Sequence, residues 1–401
     1  MNHDFDIAIV GAGVVGATLA CALRNSGLRI ALLDARRPET FAAEAELDLR
    51  VFALSRASIR MLDALGAWQT IRSVRASPYR EMHVWDAGGN GSIHFDCAEV
   101  GEPWLGYIVE NHLIQHALLQ QIEASGAVRL LAPATLTALD PDTSGVSFSL
   151  DGGQRYRARL LVAADGAASA TRALLGIETR GWRYGQQAIV AHLDVERPHQ
   201  ETAWQRFLPA GPLALLPLVD GRVSLVWSAD DAQAERLRAL DDAAFCEAVS
   251  VASDHMLGKV TGTTKRAGFP LQLLHAQRYV RTRCALIGDA AHVAHPLAGQ
   301  GVNLGMLDAA SFADVILAAH TRHRDIGDPG VLRRYERARK ADNLAMIYAL
   351  DGFKRLFSND SATLAVLRNC GMRAVDAFTP LKSVFMRRAM GLGGELPTLA
   401  Q

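Results

Sequence analysis

The sequence predicts an α/β chain: a parallel-sheet unit flanked by helices, an antiparallel β-sheet inserted into it, and a helical C-terminal segment. Three observations predict this. Residues 7–34 read as strand, glycine turn, helix, strand and acid. Two more buried strands, residues 160–164 and 284–288, end far downstream in Asp-Gly and Gly-Asp turns. Between those two, apolar or alternating runs broken by Pro-Gly and Asp-Gly mark antiparallel strands.

The bounds are those of an ordinary globular chain. Of 401 residues, 49% are hydrophobic and 21% charged, enough for two or three domains. Lys+Arg and Asp+Glu both count 42, so no global charge points to nucleic acid. The five cysteines are scattered, without a CxxC or zinc-ligand spacing, so no metal is expected. Their odd number argues for a reducing, cytoplasmic setting. Asp4 and Asp6 stand where a secretory leader would be basic. No apolar run reaches about 18 residues, so no bilayer span is expected.

The first unit is the most explicit. Gly11, Gly13 and Gly16 form G-x-G-x-x-G between a strand at residues 7–10 and a helix. Gly11 allows a tight turn, Gly13 lets a pyrophosphate approach the backbone, and Gly16 lets helix and strand pack closely. The helix N-terminus offers free N–H groups to a phosphate. Asp34 ends the second strand, where it accepts hydrogen bonds from a ribose 2′-OH. This is a Rossmann-like dinucleotide site, and FAD and NAD both fit it.

The other two turns narrow the choice. Asp165-Gly166 follows the middle strand, with Arg172 six residues past the glycine. Gly288-Asp289 follows the last strand, and a carboxylate at that end of a parallel strand faces the ligand crevice. His292, His295 and Pro296 come next, then Gly299, Gly301 and Gly305 within seven residues. Glycine costs about 1 kcal/mol relative to alanine inside a helix. Three at a helix start imply a close approach to this backbone.

Taken in order, G-x-G-x-x-G, Asp-Gly with a downstream arginine, and GDAAH-x3-P resemble the flavoprotein aromatic hydroxylases of the para-hydroxybenzoate hydroxylase class. The stretch HPLAGQGVNLG-x-x-D, His295 to Asp308, is similar to the signature of the ubiquinone-biosynthesis hydroxylases within that class. "DLRVFALS", "YREMHVWD", "GYIVEN" and "LRRYERARK" agree, and the resemblance runs from about residue 5 to about residue 393.

The resemblance implies an FAD-dependent ring hydroxylase using O2, with NADH or NADPH as co-substrate. Gly11, Gly13, Gly16 and Asp34 would hold adenosine and pyrophosphate, and Arg50 would lie on the FAD side. Asp165 and Arg172 match a motif serving FAD and pyridine nucleotide. Gly288 and Asp289 match the ribityl contact. Pro296, Gly299, Gln300, Gly301, Val302 and Asn303 match the segment against the isoalloxazine ring. Asn111 stands where many relatives carry an arginine, so the polar contact survives and the charge does not. Pro296 would border flavin and substrate. His292 or His295 would move a phenol proton, or each would be a structural histidine bonded to backbone.

The implied domains are an FAD-binding unit (residues 1–72, 97–180 and 271–340), a substrate-side antiparallel sheet (73–96 and 181–270) and a helical segment (341–401). Trp204, Phe207, Leu215 and Trp227 are either pocket or core. The implied substrate is a polyprenylated phenol or benzoquinol. A small soluble phenol, a flavin halogenase or prenyl reductase, and a non-catalytic flavoprotein subunit are the alternatives. The halogenase W-x-W-x-I-P stretch is absent. From Val331 onward, twelve Lys and Arg face six acids. This basic tail suits an anionic membrane surface at the inner face of the membrane. Other quinone-biosynthesis proteins, an oligomer contact and a plain solvated face are the other readings.

Overall fold

The computed structural model describes residues 3–295, 297–358 and 362–401. Its first sheet has eight strands. Phe5–Val10 lies at the centre, parallel to Ile30–Leu33 on one side and to Arg155–Ala163 on the other. Cys284–Leu286 extends the parallel run beyond Arg155–Ala163. These strands are buried on both faces, which explains their unbroken apolar runs. All four end on the same side, so Gly11, Asp34, Asp165 and Gly288 gather along one edge. The chain reverses its strand order beside Phe5–Val10, and a crevice opens there in folds of this kind.

Helices Val14–Leu23 and Asn111–Ser125 pack together on this sheet, and the 22-residue helix Gln300–Thr321 packs against Val14–Leu23. Gln300–Thr321 is long and apolar enough to cross a membrane by length and composition. Yet 72% of its apolar window is buried inside the fold, where Met306, Phe312 and Ile316 join the main core.

The second sheet has nine strands around the 17-residue Thr179–Val195. It is not purely antiparallel as expected: Glu81–Asp86 pairs in parallel with Thr202–Leu208. Residues on that edge arrive from an earlier part of the chain, so no hairpin forces opposite directions. Ser77–Tyr79 belongs elsewhere, in a three-stranded sheet with Val51–Ser55 and Gly106–Glu110.

The two faces of the large sheet differ. Leu215 and Trp227 point to one side, in a core with Phe245, and Trp204 packs on its margin. Helices Asp231–Ala239 and Asp242–Ala252 cover that side. Phe207 points to the other, with Val84, Leu297, Leu350 and Phe357. Only Phe207 of the four aromatic or aliphatic candidates therefore faces the late glycine segment.

The tail forms helices Pro329–Phe357, Ala362–Ala377 and Thr379–Ala389. Its basic character is partly internal. Arg339, Arg368 and Lys382 are buried and paired with Asp308, Asp86 and Glu99. Met390 is buried as well.

Candidate functional site

Two helix N-termini meet at the crevice. Val14–Leu23 starts at Gly13 and Gln300–Thr321 at Gly299, and neither has a side-chain cap. Their free N–H groups form the positive dipole ends that anions seek. Five other helices are capped by Ser55, Ser169, Asp230, Asp241 and Asp328. Gly288 joins the two starts, because a Cβ there would sit 3.1 Å from Val15 Cγ1.

In the first turn Gly11 has φ +103°, and its added Cβ would lie 2.4 Å from the Ala164 carbonyl oxygen. A Cβ on Gly16 would lie 1.9 Å from the Gly11 oxygen, while one on Gly13 meets nothing within 4 Å. The Asp34 carboxylate accepts hydrogen bonds from the N–H of Ala12 at 2.8 Å and of Arg36 at 2.9 Å. It is half-buried, with acceptor sites left for a ligand.

Asp289 follows the last parallel strand. Among the described residues its carboxylate has no hydrogen-bond partner, although it is only partly exposed. Burial pushes its pKa up, and the charges of His292 and Arg50 oppose this. Arg50 is exposed, lies 5.3 Å over the Phe52 ring and is turned by a hydrogen bond from its N–H to Asp48. Asn111 is partly buried at the start of its helix and donates its backbone N–H to the Arg50 carbonyl at 2.9 Å.

Asp165 and Arg172 have internal duties. Asp165 accepts from Ser169 Oγ and from Thr171 N at 3.0 Å and Oγ1 at 2.8 Å, capping Ala170–Leu174. Arg172 donates to the carbonyls of Ala290 at 2.9 Å and Ala167 at 2.8 Å. Together they lock the middle turn to the last one.

The late glycines divide. Gly299 has φ +62° and abuts Ala53, and a Cβ on Gly305 would lie 2.6 Å from Val15 Cγ2. Only Gly301 faces open space. The opening for a ligand is thus narrower than three glycines suggest. Val302 is partly buried against the core, and Gln300 is buried, donating to the Ala389 carbonyl at 3.3 Å. Asn303 accepts from Ser55 N at 2.9 Å and Ser58 Oγ at 2.7 Å, and donates to Ala53 O at 2.8 Å and Gly299 O at 3.0 Å. Its amide is saturated and ties the turn to strand Val51–Ser55.

The two histidines separate just as cleanly. His292 is 2% exposed, with Nε2 2.5 Å from Asp308 Oδ2. Asp308 also accepts from Arg339 Nε and Asn343 Nδ2, each at 2.9 Å, and from Gly288 N at 3.1 Å. These partners hold its pKa far below the usual carboxylate range despite its burial. His292 is therefore a structural histidine. His295 is 1% exposed, yet neither ring nitrogen has a partner among the described residues. Burial, with Lys354 nearby, pushes its pKa down to about 4. Tyr184 meets it edge-on at 5.1 Å and donates its OH to Asp351 at 2.8 Å. Pro296, expected beside it, lies outside the described residues.

Sequence reasoning missed the Asp308–Arg339–Asn343 network and the buried Glu110, which accepts from Asp48 N at 2.9 Å and pairs with Arg75 at 3.0 Å. A signal for the first existed: Leu332, Tyr335, Arg339 and Asn343 share one helix face by spacing.

Known proteins bear on this geometry. Residues 4–347 match the family described as FAD binding domain. The ubiquinone hydroxylase UbiL of Rhodospirillum rubrum is 44% identical over 398 residues, covering 98% of this chain and 92% of the relative. The 3-demethoxyubiquinol 3-hydroxylase of Escherichia coli is 38% identical, covering 98% and 100%. Among solved structures, PqsL, a probable FAD-dependent monooxygenase from Pseudomonas aeruginosa, superimposes with a TM-score of 0.77 at 25% identity, covering 93% of this chain and 100% of its own. The p-nitrophenol 4-monooxygenase PnpA of Pseudomonas putida shares the fold, with a TM-score of 0.78 at 17% identity over 99% and 100%. The uncapped helix starts, the open Gly13 and the unpartnered Asp289 fit the cofactor these proteins share, and the chain belongs to the FAD-dependent hydroxylases of ubiquinone biosynthesis.

Proposed function

We propose that this chain hydroxylates the ring of a polyprenylated phenol or benzoquinol and collects it from a membrane surface. The observation that carries the reading is the tail. It packs an apolar core on its inner side and exposes an apolar, basic face on its outer side. Phe207, Val84, Leu297, Leu350 and Phe357 pack together on the inner side, with Phe207 stacked on Phe357 at 4.0 Å. Phe378 (58% exposed), Leu381, Val384 (61%) and Phe385 stand on the outer one beside exposed Arg387 and Arg388. A prenyl tail partitions into lipid at about 0.8 kcal/mol per buried CH2, so its free concentration in water is negligible.

When bound, FAD supplies the reduction by NAD(P)H and the activation of O2. The chain's own residues hold it and keep water out. The N–H groups after Gly13 would hold the pyrophosphate, Asp34 the ribose, and Asp289 a ribityl hydroxyl. The backbone at Gly301 would hold the ring edge, and Arg50 would add positive charge on the side of Asp289. Gly11, Gly16, Asp165, Arg172, Gly288, Gly299, Gln300, Val302 and Asn303 shape the cradle, Asn111 borders it, and Pro296 closes it toward the substrate. We assign residues 1–72, 97–180 and 271–340 to the cofactor unit, residues 73–96 and 181–270 to the substrate sheet apart from Ser77–Tyr79, which pairs with Gly106–Glu110, and residues 341–401 to the helical cover.

His295 is the polar group for the substrate. Its neutral ring accepts a hydrogen bond from the phenol OH. At a pKa of about 4 it is too weak a base to take a proton from a phenol of pKa about 10 outright. His292 has no such freedom.

The test uses FAD-loaded protein with a prenylated phenol in anionic vesicles and the same phenol without its tail. The prenylated ring should gain one oxygen, with NAD(P)H oxidation that falls as salt rises. Replacing Leu381, Val384 and Phe385 with serine should abolish vesicle binding and leave flavin bound. Equal turnover of the tail-less phenol, insensitive to salt, would remove the membrane substrate from the reading.

A further inference from the structure

The far edge of the nine-stranded sheet carries a cluster outside the flavin site. Glu81–Asp86 and Ser92–Asp96 pair antiparallel, with His83 directly opposite His94. Glu81 lies two residues before His83, so the pleat sends both side chains to one face. Val84 points the other way, toward Leu297. Two ring nitrogens converge on one carboxylate oxygen: His94 Nε2 is 2.9 Å and His83 Nε2 3.6 Å from Glu81 Oε2.

The donor atoms of all three residues lie within 4.8 Å of one another. Ligands at about 2.1 Å from a tetrahedral ion are about 3.4 Å apart, so the two spacings to Glu81 straddle the ideal. The rings are also held. His83 stacks on His94 at 4.1 Å and on Trp204 at 4.6 Å. Two imidazolium ions stacked this closely repel, and neutral imidazole is the form that binds metal. Both rings thus turn a nitrogen toward the same Glu81 oxygen, His94 at hydrogen-bond distance and His83 farther off.

We propose that Glu81, His83 and His94 form a divalent-cation site suited to Zn2+, stapling the edge hairpin. Two imidazole nitrogens and one carboxylate oxygen are a zinc donor set, with water completing the coordination. The site is half-exposed, so an ion can enter. It lies on the sheet face away from Leu297, and its role is structural. Strand Ser92–Asp96 is where the tail docks: His94 N donates to Asp376 at 3.1 Å, and Lys382 donates to the His94 carbonyl at 3.1 Å. An ion fixing His94 therefore fixes the seat of both C-terminal helices.

The experiment uses untagged, FAD-loaded protein stripped with a chelator. Titration with Zn2+ by calorimetry should show one ion per chain at micromolar affinity or tighter. His83→Ala and His94→Ala should each weaken it by at least about tenfold, and the double variant should lose it. Flavin content, measured alongside, reports that each variant is folded. Co2+ added to the wild-type chain should give visible bands beyond the flavin absorption, a readout that needs no variant. Absence of micromolar Zn2+ binding by the wild type, or unchanged binding by the folded double variant, overturns the proposal.

Discussion

Two glycine-rich turns lead into helices in this molecule, residues 11–16 and 299–305, and they divide their labour alike. In each, the outer glycines are demanded by contact and the middle one is not. Gly11 and Gly16 abut backbone oxygens, Gly299 abuts Ala53, and Gly305 abuts Val15. Gly13 and Gly301 meet nothing within 4 Å. The turns differ in what fixes them. The first has a short-range tie, Asp34 bonding Ala12 across 22 residues, beside a distant one, Gln115 reaching the Ala12 carbonyl across 103. The second is held from afar: Asn303 reaches Ser55 across 248 residues, and Asp308 reaches Arg339 across 31. The first turn thus mixes local and distant ties, whereas the second turn is held chiefly by distant ones.

The acids behind the two turns should show the largest contrast. Asp308→Ala leaves the buried Arg339 guanidinium and the His292 ring without their acceptor. Removing one partner of a buried ion pair costs about 3–5 kcal/mol. Asp34→Ala removes two hydrogen bonds from a half-buried carboxylate, about 1 kcal/mol each. Urea unfolding of the flavin-free proteins should separate them clearly, with FAD affinity falling in both. Equal losses of stability would mean that the second turn is no more dependent on distant residues than the first.

Within the second turn the glycines should separate in the same way. Gly305→Val drives a branched side chain into Val15, and overpacking of this kind costs about 1–3 kcal/mol. Gly301→Ala enters open space near a helix start and should gain up to about 1 kcal/mol in the flavin-free chain. The same alanine should weaken FAD binding, because its methyl stands where the ring approaches. Calorimetric melting with and without FAD reads both signs. A Gly301→Ala chain that melts lower without FAD would show hidden packing at that glycine.

How far these differences were legible follows from the same contrast. The strand–turn–helix–strand unit with Asp34 is readable because its elements follow one another directly in sequence, and the structure returns it with helix Val14–Leu23 starting at Gly13. The parallel partners of Phe5–Val10 and the apolar face of the large sheet follow from pattern too. Parallel pairing of Glu81–Asp86 with Thr202–Leu208 is invisible locally, since nothing in either strand records a partner over a hundred residues away. The roles of His292 and His295 were indistinguishable by residue type. What separates them is Asp308, which bonds one ring and leaves the other bare. The tail's charge was countable, but the burial of Lys382, Arg339 and Arg368 was not. Burial depends on which helix face meets the core, and basic residues on such a face look like any others.

A third test compares the two ligand carboxylates at the strand ends. Asp34 has hydrogen-bond partners and Asp289 has none among the described residues, so Asp289→Asn should leave the flavin-free stability unchanged or slightly raised. Burial disfavours its charge, and the amide carries none. FAD affinity should fall by about tenfold, roughly one charge-assisted hydrogen bond. Fluorescence of released flavin measures it. Normal FAD affinity with a lower melting point would make Asp289 a structural residue.

The smallest effect is the response to pH, which should come from the approach to the second turn. Neither turn contains a histidine, but His295, four residues before Gly299, and His275, on the strand that pairs with His292–Val293, are neutral in the fold, each with its pKa pushed down by burial to about 4. In the unfolded chain both titrate near about 6.5. Between these values the unfolded chain binds protons that the folded chain refuses. Stability is therefore complete above about pH 6.5 and falls as pH drops toward about 4. For one such histidine the loss from about pH 7 to about pH 5.5 is about 1 kcal/mol. His295→Asn removes its share, so the melting point of that variant should decline less steeply on acidification than that of the wild type. His275 continues to contribute in both, which is why the slope should shrink without vanishing. Parallel declines would mean that His295 takes a proton in the folded chain, through a partner that rescues its charge.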